Sequence, residues 1–151
     1  MSAVGSSDFD WSVRTEIYRT FADTGAAPPL EQLASALGAS IEQIKTSLAV
    51  LCEAHEIAPL PDGSGVWMAN PFSSTETDYV VVTPHMTCYA NCAWDALGVP
   101  AILGTDGWTQ TRCPESGVPM EFGVRDGQAA GNAVIHLVTP PRDAWLDIGF
   151  T

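Results

Sequence analysis

The feature that most constrains this sequence is a largely apolar run at residues 92–103 that carries a cysteine and an aspartate at its start, Cys92 and Asp95. The run predicts a helix, which Pro100 would kink or end. Residues three apart share one face of a helix, so the Cys92 sulfur and the Asp95 carboxyl group are predicted to face the same space. A thiol is a soft ligand and a nucleophile, and a carboxyl group can carry a proton. The pair could therefore bind a soft metal or an electrophile and protonate the group that leaves.

Composition and charge exclude several classes of protein. Of the 151 residues 46% are hydrophobic, which predicts a packed globule. Eighteen acidic against six basic residues give a net charge of −12, which repels nucleic-acid phosphates and argues against a nucleic-acid partner. The sequence has no apolar run of membrane-span length, and residues 1–8 do not resemble a signal peptide. We therefore expect a cytoplasmic protein without a membrane partner and with reduced cysteines; the sequence predicts no oligomeric state.

The first half, residues 1–76, is predicted to form a winged-helix-like module of three helices followed by a hairpin. The helices are predicted at residues 11–21, 30–37 and 41–55. Gly38 is the expected end of the second helix, and Ser40 with Gln43 forms a capping box before the third. Two short strands are expected on either side of the turn at residues 61–65.

The third helix of this module argues against DNA binding, the usual role of a winged helix. Residues 40–56 contain one basic side chain, Lys45, against the acids Glu42, Glu53 and Glu56. A helix that reads DNA needs several bases for the grooves and phosphates. We therefore interpret the first half as a structural module packed against the second.

The second half, residues 77–151, is predicted to be a small mixed-sheet α+β domain of catalytic type, so that the whole chain is α+β. A β-branched strand is expected at residues 79–83 and another strand at residues 133–138. A further strand-like run closes the sequence at residues 145–151.

The order of motifs in this half resembles the alkylmercury lyase (organomercurial lyase) family. Tyr89 is followed by the Cys92-x-x-Asp95 pair, and then by the Pro-Ala dipeptide, apolar pair and glycine of residues 100–104. Downstream, residues 111–119 contain Cys113 before a small residue, a glycine and a proline, which is similar to a cysteine-containing turn of that family. Together with the winged-helix-like module, the resemblance spans residues 11–150.

The resemblance implies protonolysis of a carbon–mercury bond in a small organomercurial substrate. By motif match, Cys92 is the thiolate that takes the mercury and Asp95 the residue that delivers a proton to carbon, giving Hg(II) and a hydrocarbon. No cofactor is implied beyond a solution thiol that accepts the product. We expect the helix N-terminus to help activate the Cys92 thiol and burial to favour protonated Asp95.

One element of the family pattern is missing from this sequence. The resemblance implies a second catalytic cysteine just after the strand-like run at residues 145–151, but no cysteine follows Cys113. Either the sequence is truncated before that cysteine or Thr151 stands in its place, and in the second case activity with two protein thiols is in doubt.

Two other functions fit the same residues. The chain could be a related Cys/Asp enzyme that acts on another thiol-reactive substrate. It could also be a non-enzymatic protein that binds a thiophilic metal through Cys88, Cys92 and Cys113, with His85 nearby in sequence. Other residues have structural interpretations: a core thiol at Cys52, a surface position at His55, and core or pocket-lining roles for Trp94, Trp108 and Trp145.

Overall fold

The structure is a computed structural model and describes residues 6–149. Its α-helices are α1 (Asp8–Thr24), α2 (Leu30–Leu37), α3 (Ile41–Glu53) and α4 (Ala93–Leu103). Its strands are β1 (Ala58–Pro59), β2 (Val66–Ala69), β3 (Phe72–Ser73), β4 (Val80–Val82), β5 (Thr87–Ala90), β6 (Gly107–Arg112), β7 (Pro119–Arg125) and β8 (Gln128–Gly131). A 3₁₀ helix follows at Pro141–Leu146. The predicted α+β class is confirmed.

Local capping sets the ends of the first three helices. The Ser40 hydroxyl accepts a hydrogen bond from the Gln43 backbone N–H, and the Gln43 side chain accepts one from Ser40, which confirms the predicted capping box. Gly38 ends α2 in the left-handed conformation, also as predicted. Helix α1 is longer than predicted because Ser7 and Asp10 form a second capping box.

The strands form one sheet in which every pair of neighbours is antiparallel. The order is β1-β2-β3-β5-β4-β6-β7-β8. The prediction of a small mixed sheet was therefore wrong in this detail, because each strand meets a partner that runs the opposite way. The predicted hairpin is confirmed as β1 and β2, and the sheet continues from it into the second half of the chain.

The helical part and the sheet share one hydrophobic core. The Phe21 ring of α1 stacks on the Phe72 ring of β3, with centroids 5.1 Å apart. Gly25, which ends α1 at a φ of 76°, lies against the backbone of β5: a Cβ there would come within 2.1 Å of the Thr87 carbonyl oxygen. The C-terminus of α1 therefore packs directly on β5.

Helix α4 packs on strands β4 to β7. It buries Ala96, Val99 and Pro100 and continues past Pro100 to Leu103, so this proline does not end the helix. Gly104 ends it in the left-handed conformation. No helix within residues 6–149 is long and apolar enough to span a bilayer.

The described residues after β8 do not form the strands that the sequence predicts. Residues 133–136 alternate between half-buried and exposed side chains, as a strand would, but they pair with no neighbouring strand in the described chain. The predicted strand at residues 133–138 was therefore wrong. The strand-like run at residues 145–151 instead begins in the 3₁₀ helix and continues into a turn, while Phe150 and Thr151 lie outside the described residues.

Two glycines with the same backbone conformation test the contact between α1 and β5. Gly25→Ala and Gly38→Ala both place alanine at a positive φ, which costs about 1–2 kcal/mol. Only Gly25→Ala adds a clash with Thr87, for about 1–3 kcal/mol more, because nothing lies within 4 Å of a Cβ at Gly38. Urea unfolding should therefore rank Gly25→Ala clearly below Gly38→Ala. Equal losses would contradict the close packing of α1 on β5.

Candidate functional site

Strand β5 places Cys92 at the start of α4. The strand ends at Ala90, Asn91 follows, and Cys92 is the N-cap residue of the helix, with an extended backbone. The Cys92 carbonyl accepts a hydrogen bond from the Ala96 N–H, 3.0 Å away, while its side chain makes no capping hydrogen bond. The thiol is therefore left available for another partner.

That partner is Asp95, in the first turn of α4. The Cys92 thiol donates a hydrogen bond to Asp95 Oδ2, with the sulfur 3.4 Å from the oxygen. The predicted proximity of the two side chains is confirmed, although Cys92 precedes the helix instead of lying in it. A proton can pass directly between these two atoms.

The environment of Cys92 favours the thiol over the thiolate. Burial raises its pKa to about 11, and the negative charge of Asp95 adds to this. The backbone N–H groups of Trp94 and Asp95 act in the opposite direction, as expected at a helix N-terminus, but they are outweighed. The helix end therefore favours the thiolate, as expected, but desolvation is the larger effect, so the net pKa of Cys92 is raised.

Burial also raises the pKa of Asp95 above its ordinary value. Hydrogen bonds from the side chains of Cys92 and Asn91 lower it in part, because they favour the carboxylate. The expected effect of burial on Asp95 is confirmed. Cys92 and Asp95 thus form a hydrogen-bonded pair in which burial raises both pKa values.

The pair lines a cavity of about 510 Å³. One end of the cavity is polar and consists of Asn70, Asn91, Cys92 and Asp95. The remaining wall is mostly apolar, with the large side chains Met68, Trp94, Leu137, Trp145 and Ile148. A substrate with one thiophilic atom and an apolar group fits this division, since the sulfur lies at the polar end.

Residues 137–149, here called the covering segment, contribute one side of the cavity. The Trp145 ring stacks on the His55 ring, with centroids 4.7 Å apart and planes 6° from parallel. A Cβ at Gly149 would come within 2.8 Å of the Trp67 ring, so the end of the segment packs closely against β2. His55 is exposed, as predicted, but it also holds a wall residue of the cavity.

A hydrogen-bond chain joins α1 to the acid. The Tyr18 hydroxyl donates to the Asn70 carbonyl oxygen over 2.7 Å, and Asn91 Nδ2 donates to Asn70 Oδ1 over 2.7 Å. The Asn91 side chain also hydrogen-bonds Asp95. No motif in the sequence points to Tyr18, Asn70 or Asn91 as site residues; only the position of Asn91, directly before Cys92, could have drawn attention to it.

The other three cysteines are not among the cavity-lining residues, and all four cysteines are free thiols. Cys88 is buried in β5 within the core, and burial raises its pKa to about 11. Cys113 begins the turn between β6 and β7, where hydrogen bonds from Ser116 lower its pKa. Within residues 6–149 no group of three or more His, Cys, Asp or Glu side chains is placed to hold a metal ion.

Two of the three tryptophans with predicted roles have the predicted pocket-lining role, and the third is half-buried on the sheet. Trp94 and Trp145 line the cavity. Trp108 lies in β6, where the Arg125 guanidinium carbon is 4.0 Å from the centre of its ring.

Replacing Asp95 tests the electrostatics of the pair. In Asp95→Asn the Cys92 pKa should fall from about 11, because the nearby negative charge is lost. It should stay above the ordinary thiol value of about 8.5, because burial remains. The rate of Cys92 alkylation by iodoacetamide against pH, followed by peptide mass spectrometry, measures this. Glu31→Gln, at an exposed acid on α2, should leave the profile unchanged, and an unchanged or raised pKa in Asp95→Asn would contradict the pairing.

Known proteins were compared with this chain by sequence and by fold. No curated protein matches it. Its fold is similar to the crystal structure of the mercury-bound form of MerB2, with a TM-score of 0.66, 22% identity and coverage of 82% of this chain. The chain spans 59% of the length of that structure. The sequence model described as MerB, alkylmercury lyase, matches residues 72–150, which is more than half of the chain and contains both Cys92 and Asp95. This chain therefore belongs to the alkylmercury lyase family.

Proposed function

We propose that the chain cleaves the carbon–mercury bond of organomercurials by protonolysis, with Cys92 as the mercury ligand and Asp95 as the proton donor. The observation that carries the proposal is the hydrogen bond from the Cys92 thiol to Asp95 Oδ2 at the end of an apolar cavity. Membership of the alkylmercury lyase family supports it. So does the mercury-bound state of the structure whose fold is similar.

The first step is exchange of the mercury ligand. The substrate has an organic carbon on one side of mercury and a solution thiolate on the other. A sulfur–mercury bond forms at Cys92 as the thiol proton passes over the 3.4 Å hydrogen bond to Asp95 Oδ2. The displaced thiolate leaves and takes a proton from water. Soft metals prefer thiolate ligands, and mercury keeps one thiolate ligand throughout the exchange, while Asp95 accepts the proton of a thiol whose pKa burial raises to about 11.

The second step breaks the carbon–mercury bond. Asp95 transfers its proton to the carbon, the electron pair of the carbon–mercury bond becomes the new carbon–hydrogen bond, and the hydrocarbon leaves. Mercury remains Hg(II), now bound to the Cys92 sulfur, so nothing is oxidised or reduced. Asp95 is again a carboxylate. Burial raises the pKa of Asp95, which makes it a stronger proton acceptor in the first step.

A second sulfur completes the coordination of the product. Neither Cys88 nor Cys113 is among the described residues that line the cavity. We propose that a solution thiolate takes this position and that a further thiolate then removes Hg(II) from Cys92. A thiol is therefore the product acceptor, and the proposed reaction uses no other cofactor.

The remaining proposals concern the domain organisation of the chain and its location in the cell. We propose that residues 1–76 form a winged-helix-like module with a structural role and that residues 77–151 form the lyase-like domain. Tyr18 of α1 contacts Asn70 beside the cavity, which supports a structural role for the module at the site. A cytoplasmic location, where thiols are kept reduced, suits both the free cysteines and the need for a thiol acceptor.

Release of benzene from phenylmercury with excess thiol tests the proposal. The unchanged chain should turn over, and Cys92→Ser and Asp95→Asn should each lower kcat by at least about 10²-fold, because each removes a group that handles the transferred proton. Cys52→Ser, at a thiol on α3 away from the cavity lining, is the matched control and should keep full activity.

The same assay separates the other functions. Tight mercury binding without benzene release would contradict the lyase and favour a thiophilic metal-binding protein. Turnover of another thiol-reactive substrate without release of benzene would favour a related Cys/Asp enzyme.

A further inference from the structure

The cavity beside Cys92 is much larger than the smallest organomercurial requires. An apolar cavity of roughly 150 Å³ is enough to hold a benzene molecule. The cavity here has about 510 Å³, with two indole rings, Trp94 and Trp145, in its wall. A methyl group bound through mercury to Cys92 would leave most of this apolar wall in contact with water. A flat aromatic group would cover a larger part of it.

The position of Trp145 depends on a residue outside the second half of the chain. Trp145 lies in the 3₁₀ helix of the covering segment, whose residues pair with no strand within the described chain. The His55 ring, at the end of α3, stacks face to face on it at 4.7 Å. His55 has a φ of 62°, in the left-handed region, so the backbone after α3 is turned to present this ring. The stack joins the helical part to the wall of the cavity.

We propose that the site selects organomercurials with a flat aromatic group, and that His55 is the positioning residue for this selectivity because it holds Trp145 in the cavity wall. The inference rests on the proposed lyase function for the identity of the substrate. The aromatic group lies against Trp145, and mercury lies on Cys92 at the polar end. Aromatic rings attract one another in stacked and edge-to-face arrangements, and burial of the ring removes apolar area from water.

Variants at position 55 separate the ring from the backbone. Asparagine tolerates a positive φ, so His55→Asn keeps the backbone conformation and removes the ring. His55→Phe keeps a ring and should keep the selectivity; urea unfolding checks that it stays folded despite the strain of a bulky side chain at a positive φ. His85→Asn, at an exposed histidine in the turn between β4 and β5, is the matched control.

The first measurement compares phenylmercury with methylmercury. In His55→Asn the KM for phenylmercury should rise about tenfold with little change in kcat, and methylmercury kinetics should stay nearly constant. Each variant is compared with the unchanged chain on the same substrate, so the intrinsic difference between the two carbon–mercury bonds cancels. His55→Phe and His85→Asn should behave like the unchanged chain. Equal effects on both substrates in His55→Asn would overturn the role of His55.

The second measurement does not depend on lyase activity. Iodoacetamide and N-benzyl iodoacetamide alkylate Cys92 at pH 9, and peptide mass spectrometry separates Cys92 from Cys113. Because Cys113 lies in the β6–β7 turn, it reports the intrinsic rate ratio on the same molecules. The ratio of the benzyl-reagent rate to the iodoacetamide rate should be about tenfold higher at Cys92 than at Cys113. Trp145→Leu and His55→Asn should lose this difference.

The two measurements separate failure of the inference from failure of the proposed function. Benzene release without a benzyl preference at Cys92 would overturn the aromatic selectivity and leave the lyase standing. A benzyl preference that depends on His55, without benzene release, would overturn the lyase and support the aromatic cavity for another thiol-reactive substrate.

Discussion

The pairing of β5 with β3 on one side and β4 on the other is the constraint on which the rest of the structure depends. Phe72 of β3 pairs with Ala90, the last residue of β5, and the Phe72 ring stacks on Phe21 of α1. Gly25 brings the C-terminus of α1 onto the backbone of the same strand. Because β5 is held from three directions, the turn from Ala90 to α4 starts from a defined position. Cys92 and Asp95 are therefore placed by the sheet and the helices together.

Desolvation determines the chemistry of the pair. A helix N-terminus normally favours a thiolate, but at Cys92 burial and the charge of Asp95 outweigh it. The result is a thiol that keeps its proton, hydrogen-bonded to a carboxyl group whose pKa is also raised. In the proposed reaction, the proton that Asp95 gives to the carbon comes from the Cys92 thiol. The thiol therefore brings both the ligand for mercury and the acid for the leaving group.

The cavity is completed by parts of the chain that are far apart in sequence. The covering segment contributes Trp145, and His55 and Trp67 hold that segment from the end of α3 and from β2. Tyr18 reaches Asn70 from α1, and Asn70 contacts Asn91 beside Asp95. The helical part thus reaches the acid through Asn70 and Asn91 and contacts the apolar wall through His55. The inferred selectivity for aromatic groups depends on this second contact.

The sequence by itself determined the features that depend on neighbouring residues. The capping box at Ser40, the end of α2 at Gly38, the hairpin of β1 and β2 and the proximity of Cys92 to Asp95 all follow from local spacing. Only the tertiary structure decided whether an alternating segment pairs as a strand, as residues 133–136 do not, and which way the Cys92 pKa moves. Strand pairing and desolvation depend on what the rest of the chain places nearby. A local sequence pattern does not identify those distant neighbours.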